Sequence, residues 1–279
     1  MPDFLSFNAS YKEADTVFIG IPFDGTATFR PGSRFAPDAV RNVSDGLETY
    51  SPYQNKDLTA YKIHDYGDLV IPFGNTERVL QIIEDKAGEL LESGKKILSC
   101  GGEHLVSYPL IRAYLQKYPQ LKVLHFDAHT DLREEYLGEK FSHSSVIRLL
   151  TEHLDPKNIY QFGIRSGEKE EFLWGTKHTR FFPFTLDNFY QKISDLVPDD
   201  PIYLTIDLDI LDPAYFPGTG TPEPGGVSFS ELLNALLTLM NRNIVGADVV
   251  ELAPDYDASG VSSITAAKVI REIALLMNR

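Results

Sequence analysis

Acidic and imidazole side chains recur at alternate positions in two short segments of this sequence. Asp127, His129 and Asp131 follow one apolar run, and Asp207 and Asp209 close another. In extended backbone, side chains two residues apart point to the same side of a strand. Each segment therefore directs its potential metal ligands toward one place.

These two segments predict a metal site with two cations. Four aspartates meeting in one crevice would repel one another and would be costly to bury without partners. Two divalent cations would balance their four negative charges. Carboxylates and imidazoles without thiolates favour Mn²⁺, while Zn²⁺, Co²⁺ and Fe²⁺ stay open because affinity alone does not select Mn²⁺. Two neighbouring cations can lower the pKa of a shared water toward neutrality and so provide a nucleophile.

A third segment adds a histidine to the set. Gly101 and Gly102 precede Glu103 and His104, and two adjacent glycines permit a backbone path that would turn His104 toward the metals. Each residue also has a simpler interpretation when it is taken alone. An isolated Asp207 would be read as a helix cap, and an isolated His104 as a buried histidine with ordinary partners. The combination of segments favours the metal site.

The elements that must position these residues alternate along the whole chain. Predicted strands cover residues 16–21, 60–65, 96–100, 122–127, 158–163, 179–183, 202–207 and 244–251. Several are apolar on both faces, as in a parallel sheet covered on both sides. Predicted helices cover residues 77–93 and 264–277, and a third follows the capping box of Ser228 and Glu231. The pattern predicts one doubly wound α/β domain over residues 1–279, with its site at the carboxyl ends of the strands.

Composition restricts the classes of partner and the cellular setting. The formal net charge is −14, which disfavours nucleic acid and mildly favours a small cationic substrate. No apolar run approaches the roughly 18 residues that would span a bilayer, so we expect no membrane association. The first residues carry no basic and apolar leader, and Cys100 is the single cysteine. We therefore expect a cytoplasmic protein in which Cys100 fills buried space.

These motifs closely resemble those of the ureohydrolase family, which includes arginases and agmatinases, and most of all its bacterial agmatinase members. The matching segments are residues 30–37, 101–104, 127–131, 142–143, 207–209 and 212–226. The resemblance implies a three-layer α/β/α fold with an eight-stranded parallel sheet and two Mn²⁺ ions per subunit. It implies one ion held by His104, Asp127, Asp131 and Asp207. It implies the other held by Asp127, His129, Asp207 and Asp209.

Two departures from the family pattern accompany the match. Glu103 stands where the family more often has aspartate, and we expect it to orient His104 without binding metal. Ser144 follows Ser142 and His143 where many family members have glycine. The family's backbone conformation is therefore not carried over to this position, whereas the histidine is present.

The resemblance also implies two catalytic residues. His143 is the candidate proton shuttle to the leaving amine, with a structural role at a helix start as the alternative. Glu251 matches the glutamate that binds the guanidinium, with a capping or ion-pair role as the alternative. Arg165 is interpreted as structural, and residues 218–226 as a turn-rich wall of the pocket.

The implied reaction is hydrolysis of agmatine to putrescine and urea. Residues 132–141 contain no asparagine for an α-carboxylate and are rich in acids, which disfavours arginine. Arg133 is expected to be neutralised by Glu134 or Glu135. Rival substrates are arginine, guanidinobutyrate, aminopropylagmatine and formiminoglutamate. A non-catalytic scaffold and a two-metal phosphoesterase are less favoured, because every ligand is present and Arg133 is the only basic residue near the metal motifs. A homo-oligomer, a trimer or hexamer, is expected by analogy with the family.

Overall fold

The computed structural model describes residues 3–278 of the chain. The strands β1 to β10 are Thr16–Ile21, Tyr50–Ser51, Lys56–Asp57, Ile63–Asp68, Lys96–Gly101, Lys122–Phe126, Ile159–Phe162, Arg180–Phe182, Ile202–Asp207 and Ile244–Val250. The helices α1 to α8 are Ala36–Ser44, Thr76–Glu92, Ser107–Lys117, Val146–Leu150, Lys169–His178, Phe189–Lys192, Phe229–Leu237 and Val261–Met277. Short 3₁₀ helices cover Ser33–Phe35, Leu58–Ala60, His104–Val106, His143–Ser145, Pro156–Asn158, Leu208–Ile210 and Pro254–Tyr256.

Eight of the strands form one parallel sheet in the order β4-β1-β5-β10-β9-β6-β7-β8. The remaining two, β2 and β3, form a separate antiparallel ribbon. Helices α2, α3 and α4 bury their apolar sides against one face of the sheet, and α1, α7 and α8 cover the other. The predicted three-layer fold with an eight-stranded parallel sheet is therefore confirmed.

Most element boundaries agree with the pattern in the sequence. All eight predicted strands are present, but the one expected at residues 60–65 is Ile63–Asp68. The difference arises because Leu58–Ala60 forms a 3₁₀ helix. The Asp57 side chain caps this helix by accepting a hydrogen bond from the Thr59 amide. This local hydrogen bond competes with the strand and delays its start.

Helix boundaries follow capping chemistry. Helix α2 ends where Gly94 adopts a φ of 77°, a left-handed conformation that glycine accepts without steric cost. The capping box predicted for α7 is present, with Ser228 and Glu231 bonded reciprocally. Helix α8 begins at Val261, three residues before the predicted start, because the Asp257 carboxylate accepts a hydrogen bond from the Ser262 amide.

The four central strands bring the chemistry-bearing segments together. Strands β5, β10, β9 and β6 are consecutive neighbours, so their carboxyl ends form one short edge. Among the helices of residues 3–278, none is long and apolar enough to cross a membrane. The organisation of residues 1–279 as a single domain stays a prediction.

Candidate metal centre and active site

The loop after β6 presents Asp127, His129 and Asp131 at the edge of the sheet. Asp127 and Asp131 are buried, and His129 is partly exposed. The expectation of extended backbone throughout this segment is wrong for Asp131, which has a φ of 50°. Aspartate tolerates this left-handed conformation better than most residues. Its carbonyl accepts the Ile147 and Arg148 amides at the start of α4, which stabilises the turn.

The end of β9 contributes Asp207, and Asp209 lies in the 3₁₀ helix Leu208–Ile210 that follows, so the extended backbone expected there is wrong for Asp209. Both aspartates are buried. One oxygen of Asp207 caps the 3₁₀ helix Leu208–Ile210, accepting from the Asp209 amide at 2.9 Å. Asp209 accepts from the Ala128 amide at 3.1 Å, which ties the loop after β9 to the loop after β6. Capping thus uses one Asp207 oxygen and leaves the other facing the cluster.

The end of β5 turns His104 into the same place. Gly102 approaches the backbone of Phe23 so closely that an added Cβ would lie 1.8 Å from the Phe23 carbonyl oxygen. Only glycine fits there, and the turn directs His104 inward. The carboxylate oxygens nearest to His104 Nδ1 belong to Asp127 at 3.0 Å, Asp131 at 3.1 Å and Asp207 at 3.2 Å.

A second group adjoins the first through Asp127. His129 Nδ1 lies 2.9 Å from Asp209 Oδ2 and 3.5 Å from Asp127 Oδ1. The structure therefore brings together the six residues that the sequence predicted as metal ligands. They form two overlapping groups of nitrogen and oxygen atoms.

The electrostatics of the cluster fit a cation. The cluster contains four aspartates: Asp127, Asp131, Asp207 and Asp209. Within residues 3–278, each of them forms ion pairs only with histidines and with no lysine or arginine. His104 Nδ1 and Asp131 Oδ2 are fully buried and lie 3.1 Å apart, yet neither makes a hydrogen bond of acceptable geometry within residues 3–278. Burial raises the pKa of Asp207 well above its usual value, and the charges of Asp209 and Asp127 raise it further. Unpaired buried donors and acceptors of this kind fit divalent metal ions.

One further histidine in the cluster was missed by the sequence pattern. His125 lies within β6, and its Nε2 is 2.8 Å from Asp127 Oδ2. The Gln161 amide contacts its other nitrogen at 3.3 Å, so His125 can donate to Asp127 through Nε2. The signal was available, because residue 125 continues the period-two pattern of 127, 129 and 131. It was hidden within an apolar run.

The expected role of Glu103 in orienting His104 is wrong. The Glu103 carboxylate accepts from the amide of Thr26 at 2.9 Å and from its hydroxyl at 2.5 Å. Burial raises the pKa of Glu103 to about 8. The His104 ring instead contacts Thr205 Oγ1 through Nε2. Glu103 therefore anchors the loop around Thr26 and leaves His104 to other partners.

His143 begins a 3₁₀ helix beside the cluster. Its amide donates to Thr26 Oγ1 at 3.0 Å, and its Nε2 lies 3.0 Å from Thr28 Oγ1. Burial lowers the pKa of His143 to about 4, and the charges of His129 and His104 add to the effect. The imidazole is therefore neutral near pH 7.

Glu251 follows β10 with a φ of 64°, a strained conformation for a residue other than glycine. Its backbone amide donates to the Gly102 carbonyl, and its Oε1 accepts from the His104 amide at 2.8 Å. Oε1 lies 4.0 Å from His143 Nδ1. Burial raises the pKa of Glu251 well above its usual value, and Glu103 adds to this; a cation placed against it would favour the ionised form.

A cavity of about 280 Å³ connects these parts. The residues lining it include His104, His129, Asp131, His143, Asp207, Thr221 and Glu251. The lining residues that reach the surface, called its outer side, include Arg133, Tyr136 and Glu168, and the buried Glu171 adjoins them. This volume suits a small molecule that reaches the metal cluster with one end and the outer side with the other.

The expected partners of Arg133 are wrong. Arg133 Nη1 lies 3.1 Å from Glu168 Oε1, and its guanidinium stacks over the Tyr136 ring. Glu134 instead pairs with Arg148 on the surface. The helix α5 region, distant in sequence, therefore neutralises Arg133.

Arg165 agrees with its structural interpretation. Its guanidinium donates to the carbonyls of Asp209 at 2.7 Å, Ile210 at 3.2 Å and Glu223 at 2.7 Å. These bonds hold the wall formed by residues 218–226 against the end of β9. Cys100 is buried, which raises its thiol pKa to about 12 and agrees with a filling role.

A buried carboxylate–imidazole cluster at the carboxyl edge of an eight-stranded parallel sheet defines a metal-binding α/β protein. The arginase family model matches residues 14–276. The chain belongs to the arginase family and is a ureohydrolase, a hydrolase of guanidino C–N bonds. An agmatinase of Bacillus anthracis is 46% identical over 275 residues, covering 98% of this chain and 95% of that protein.

Solved structures agree with this assignment. The agmatine ureohydrolase of Thermoplasma volcanium matches with a TM-score of 0.90 at 30% identity, covering 99% of this chain and 94% of that one. The proclavaminate amidino hydrolase of Streptomyces clavuligerus matches with a TM-score of 0.91 at 27% identity, covering 99% and 97%.

Proposed function

We propose that this protein hydrolyses agmatine to putrescine and urea with two Mn²⁺ ions bound in each subunit. The observation that carries the proposal is the single cavity onto which the carboxylate–imidazole cluster, His143 and Glu251 all open. Full-length similarity to an agmatinase supports the choice of substrate.

The donor set supports two overlapping metal sites. One site would be formed by His104, Asp127, Asp131 and Asp207. The other would be formed by Asp127, His129, Asp207 and Asp209. When bound, the cations supply Lewis acidity that activates a water near neutral pH. The orphaned His104 Nδ1 and Asp131 Oδ2 are the atoms for which a metal supplies the missing partner.

Glu251 would orient the guanidinium. Its Oε1 is held by the His104 amide, so the carboxylate is fixed beside the cluster and its Oε2 can receive a second donor. Paired hydrogen bonds from a planar guanidinium to a carboxylate give both affinity and orientation. This orientation would hold the guanidinium carbon close to the cluster.

His143 would move the proton to the leaving amine. A neutral imidazole can accept a proton in one step and deliver it in the next. The contact between His143 Nε2 and Thr28 Oγ1 fixes the ring, and Nδ1 faces Glu251. Because His143 lines the cavity, we infer that the departing amine receives its proton from this ring.

The outer side of the cavity supports a substrate with a distal ammonium. Among the described lining residues, Glu168 lies there 3.1 Å from Arg133, and the buried Glu171, which accepts from Thr130 and from the Glu168 amide, adds a second carboxylate beside them. An excess of acid suits the terminal ammonium of agmatine. It would repel the α-carboxylate of arginine, which must also lose water to enter.

A substrate panel tests the proposal. We expect kcat/KM for agmatine to exceed that for arginine by at least about 10³-fold, or roughly 4 kcal/mol, in a urea-release assay with Mn²⁺. Guanidinobutyrate, aminopropylagmatine and formiminoglutamate are the other substrates of the panel. Faster turnover of any of these would assign the same chemistry to a different substrate.

The cellular setting and assembly belong to the same proposal. We infer a cytoplasmic homo-oligomer, a trimer or hexamer, that acts on a small cationic guanidino compound and binds neither nucleic acid nor membrane. Light scattering of the purified protein, with and without Mn²⁺, measures the subunit number directly. A monomeric mass at assay concentration would contradict the assembly.

A further inference from the structure

The His104 ring makes different contacts through its two nitrogens. Nδ1 faces the carboxylates, whereas Nε2 lies 2.8 Å from Thr205 Oγ1. Thr205 Oγ1 in turn donates to Asp248 Oδ1 at 2.7 Å. All three side chains are fully buried. Thr205 and Asp248 are register partners on the adjacent strands β9 and β10, so the sheet itself sets their spacing.

The direction of these hydrogen bonds follows from the number of protons. A threonine hydroxyl has one proton and can donate one hydrogen bond. A short hydrogen bond to a carboxylate is the strongest that it can donate here. The Ser107 hydroxyl is a poorer acceptor at 3.3 Å. Thr205 Oγ1 must then accept from His104, so Nε2 carries a proton, and in the neutral ring Nδ1 keeps its lone pair.

Asp248 is itself held in place. Its second oxygen accepts from the Tyr203 hydroxyl at 2.8 Å. Burial raises the pKa of Asp248, while the hydroxyl donors Thr205, Tyr203 and Ser107 oppose that shift. With both oxygens occupied, Asp248 is restrained from rotating away from Thr205.

We propose that Thr205 and Asp248 are positioning residues that hold His104 in the Nε2-protonated form and thereby set the metal affinity of its site. The inference rests on the proposed metal centre and is independent of the substrate. A metal-binding histidine needs its free nitrogen aimed at the ion, and the partner of its other nitrogen provides that orientation.

Thr205→Val and Thr205→Ser form a matched pair of variants. Valine keeps the β-branched shape and removes the hydroxyl, whereas serine keeps the hydroxyl. Bound Mn²⁺ is measured by elemental analysis after equilibration in chelator-buffered Mn²⁺. We expect Thr205→Val to bind one of the two Mn²⁺ ions about 10- to 100-fold more weakly than the wild type. This is the usual effect of removing the hydrogen-bond partner of a metal-binding histidine. Thr205→Ser should stay within about threefold of the wild type.

Two further measurements separate metal affinity from folding. Urea unfolding of the metal-free proteins reports stability alone, and Thr205→Ala replaces the valine variant if that variant does not fold. The second measurement is a double-mutant cycle that combines Thr205→Val with His104→Ala. In the His104→Ala background, loss of the Thr205 hydroxyl should have no added effect on Mn²⁺ binding, because the imidazole that it contacts is absent.

Specific results would overturn the inference. Wild-type Mn²⁺ affinity in the folded Thr205→Val and Thr205→Ala proteins would show that the hydroxyl has no influence on the metal. An equal loss in Thr205→Ser would attribute the effect to packing. Because the readout is bound Mn²⁺, a wild-type protein that binds the metal and ignores agmatine would refute only the proposed substrate.

Discussion

The Glu251→Gln variant tests the binding of the guanidinium most directly. In the wild type, Oε1 accepts from the His104 amide at 2.8 Å. Glutamine can keep that bond with its carbonyl oxygen, so its NH₂ group would replace Oε2 toward the cavity. The left-handed backbone at residue 251 is the same for both side chains, which leaves local strain unchanged. The variant therefore changes one acceptor into a donor and removes one charge.

The magnitude follows from the lost interaction. A hydrogen bond to a charged group contributes about 1.5–3 kcal/mol, and a donor facing the guanidinium adds repulsion. A total near 3–4 kcal/mol corresponds to a decrease in kcat/KM of about 10²- to 10³-fold. The assay is urea release from agmatine at several substrate concentrations, with Mn²⁺ content measured on the same sample. Glu251→Asp, which keeps the charge and shortens the reach, is the control and should lose less.

A clear result would refute this reasoning. If Glu251→Gln retains kcat/KM within about threefold of the wild type with its full Mn²⁺ content, the carboxylate does not bind the guanidinium. Loss of metal in that variant would instead show that Glu251 acts through the His104 loop.

Three other predictions concern the metal, the proton and the fold. A strong chelator should abolish activity and Mn²⁺ should restore it; full turnover by a verified metal-free sample would exclude the mechanism. His143→Ala should lower kcat by about 10²- to 10⁴-fold with Mn²⁺ content unchanged, and a wild-type kcat from pH 6 to 10 would make the residue structural. Asp257→Ala should lower the free energy of unfolding at pH 7 by about 1 kcal/mol, because it removes a cap of α8. Despite burial, bonds from Ser259 and Ser262 lower the Asp257 pKa to about 2, so its stabilisation should be complete above about pH 4 and disappear as the pH falls through 2. Urea unfolding in chelator at pH 7, 4 and 2 measures this, and a pH-independent difference would contradict it.

Sequence periodicity predicted the eight strands and five of the six candidate ligands, because side-chain direction alternates within a strand whatever its neighbours. His104 was proposed from the two glycines that precede it. The spacing of Asp207 and Asp209 assigned both residues to one site, although Asp209 lies in the 3₁₀ helix Leu208–Ile210 and not in extended backbone. The same local rule was insufficient for Asp131, whose φ of 50° depends on contacts with the start of α4. His125 also continues the period-two pattern, but it lies inside an apolar run, and its contact with Asp127 became evident only in the folded structure.

The partners of side chains were decided by the tertiary structure. Arg133 pairs with Glu168, which is 35 positions further along the chain, and His104 contacts Thr205, 101 positions away. Strand order places β10 and β9 between β5 and β6, and long-range pairing of whole strands determines that order. Local patterns specify which side chains share a face, whereas only the assembled sheet specifies which of them meet.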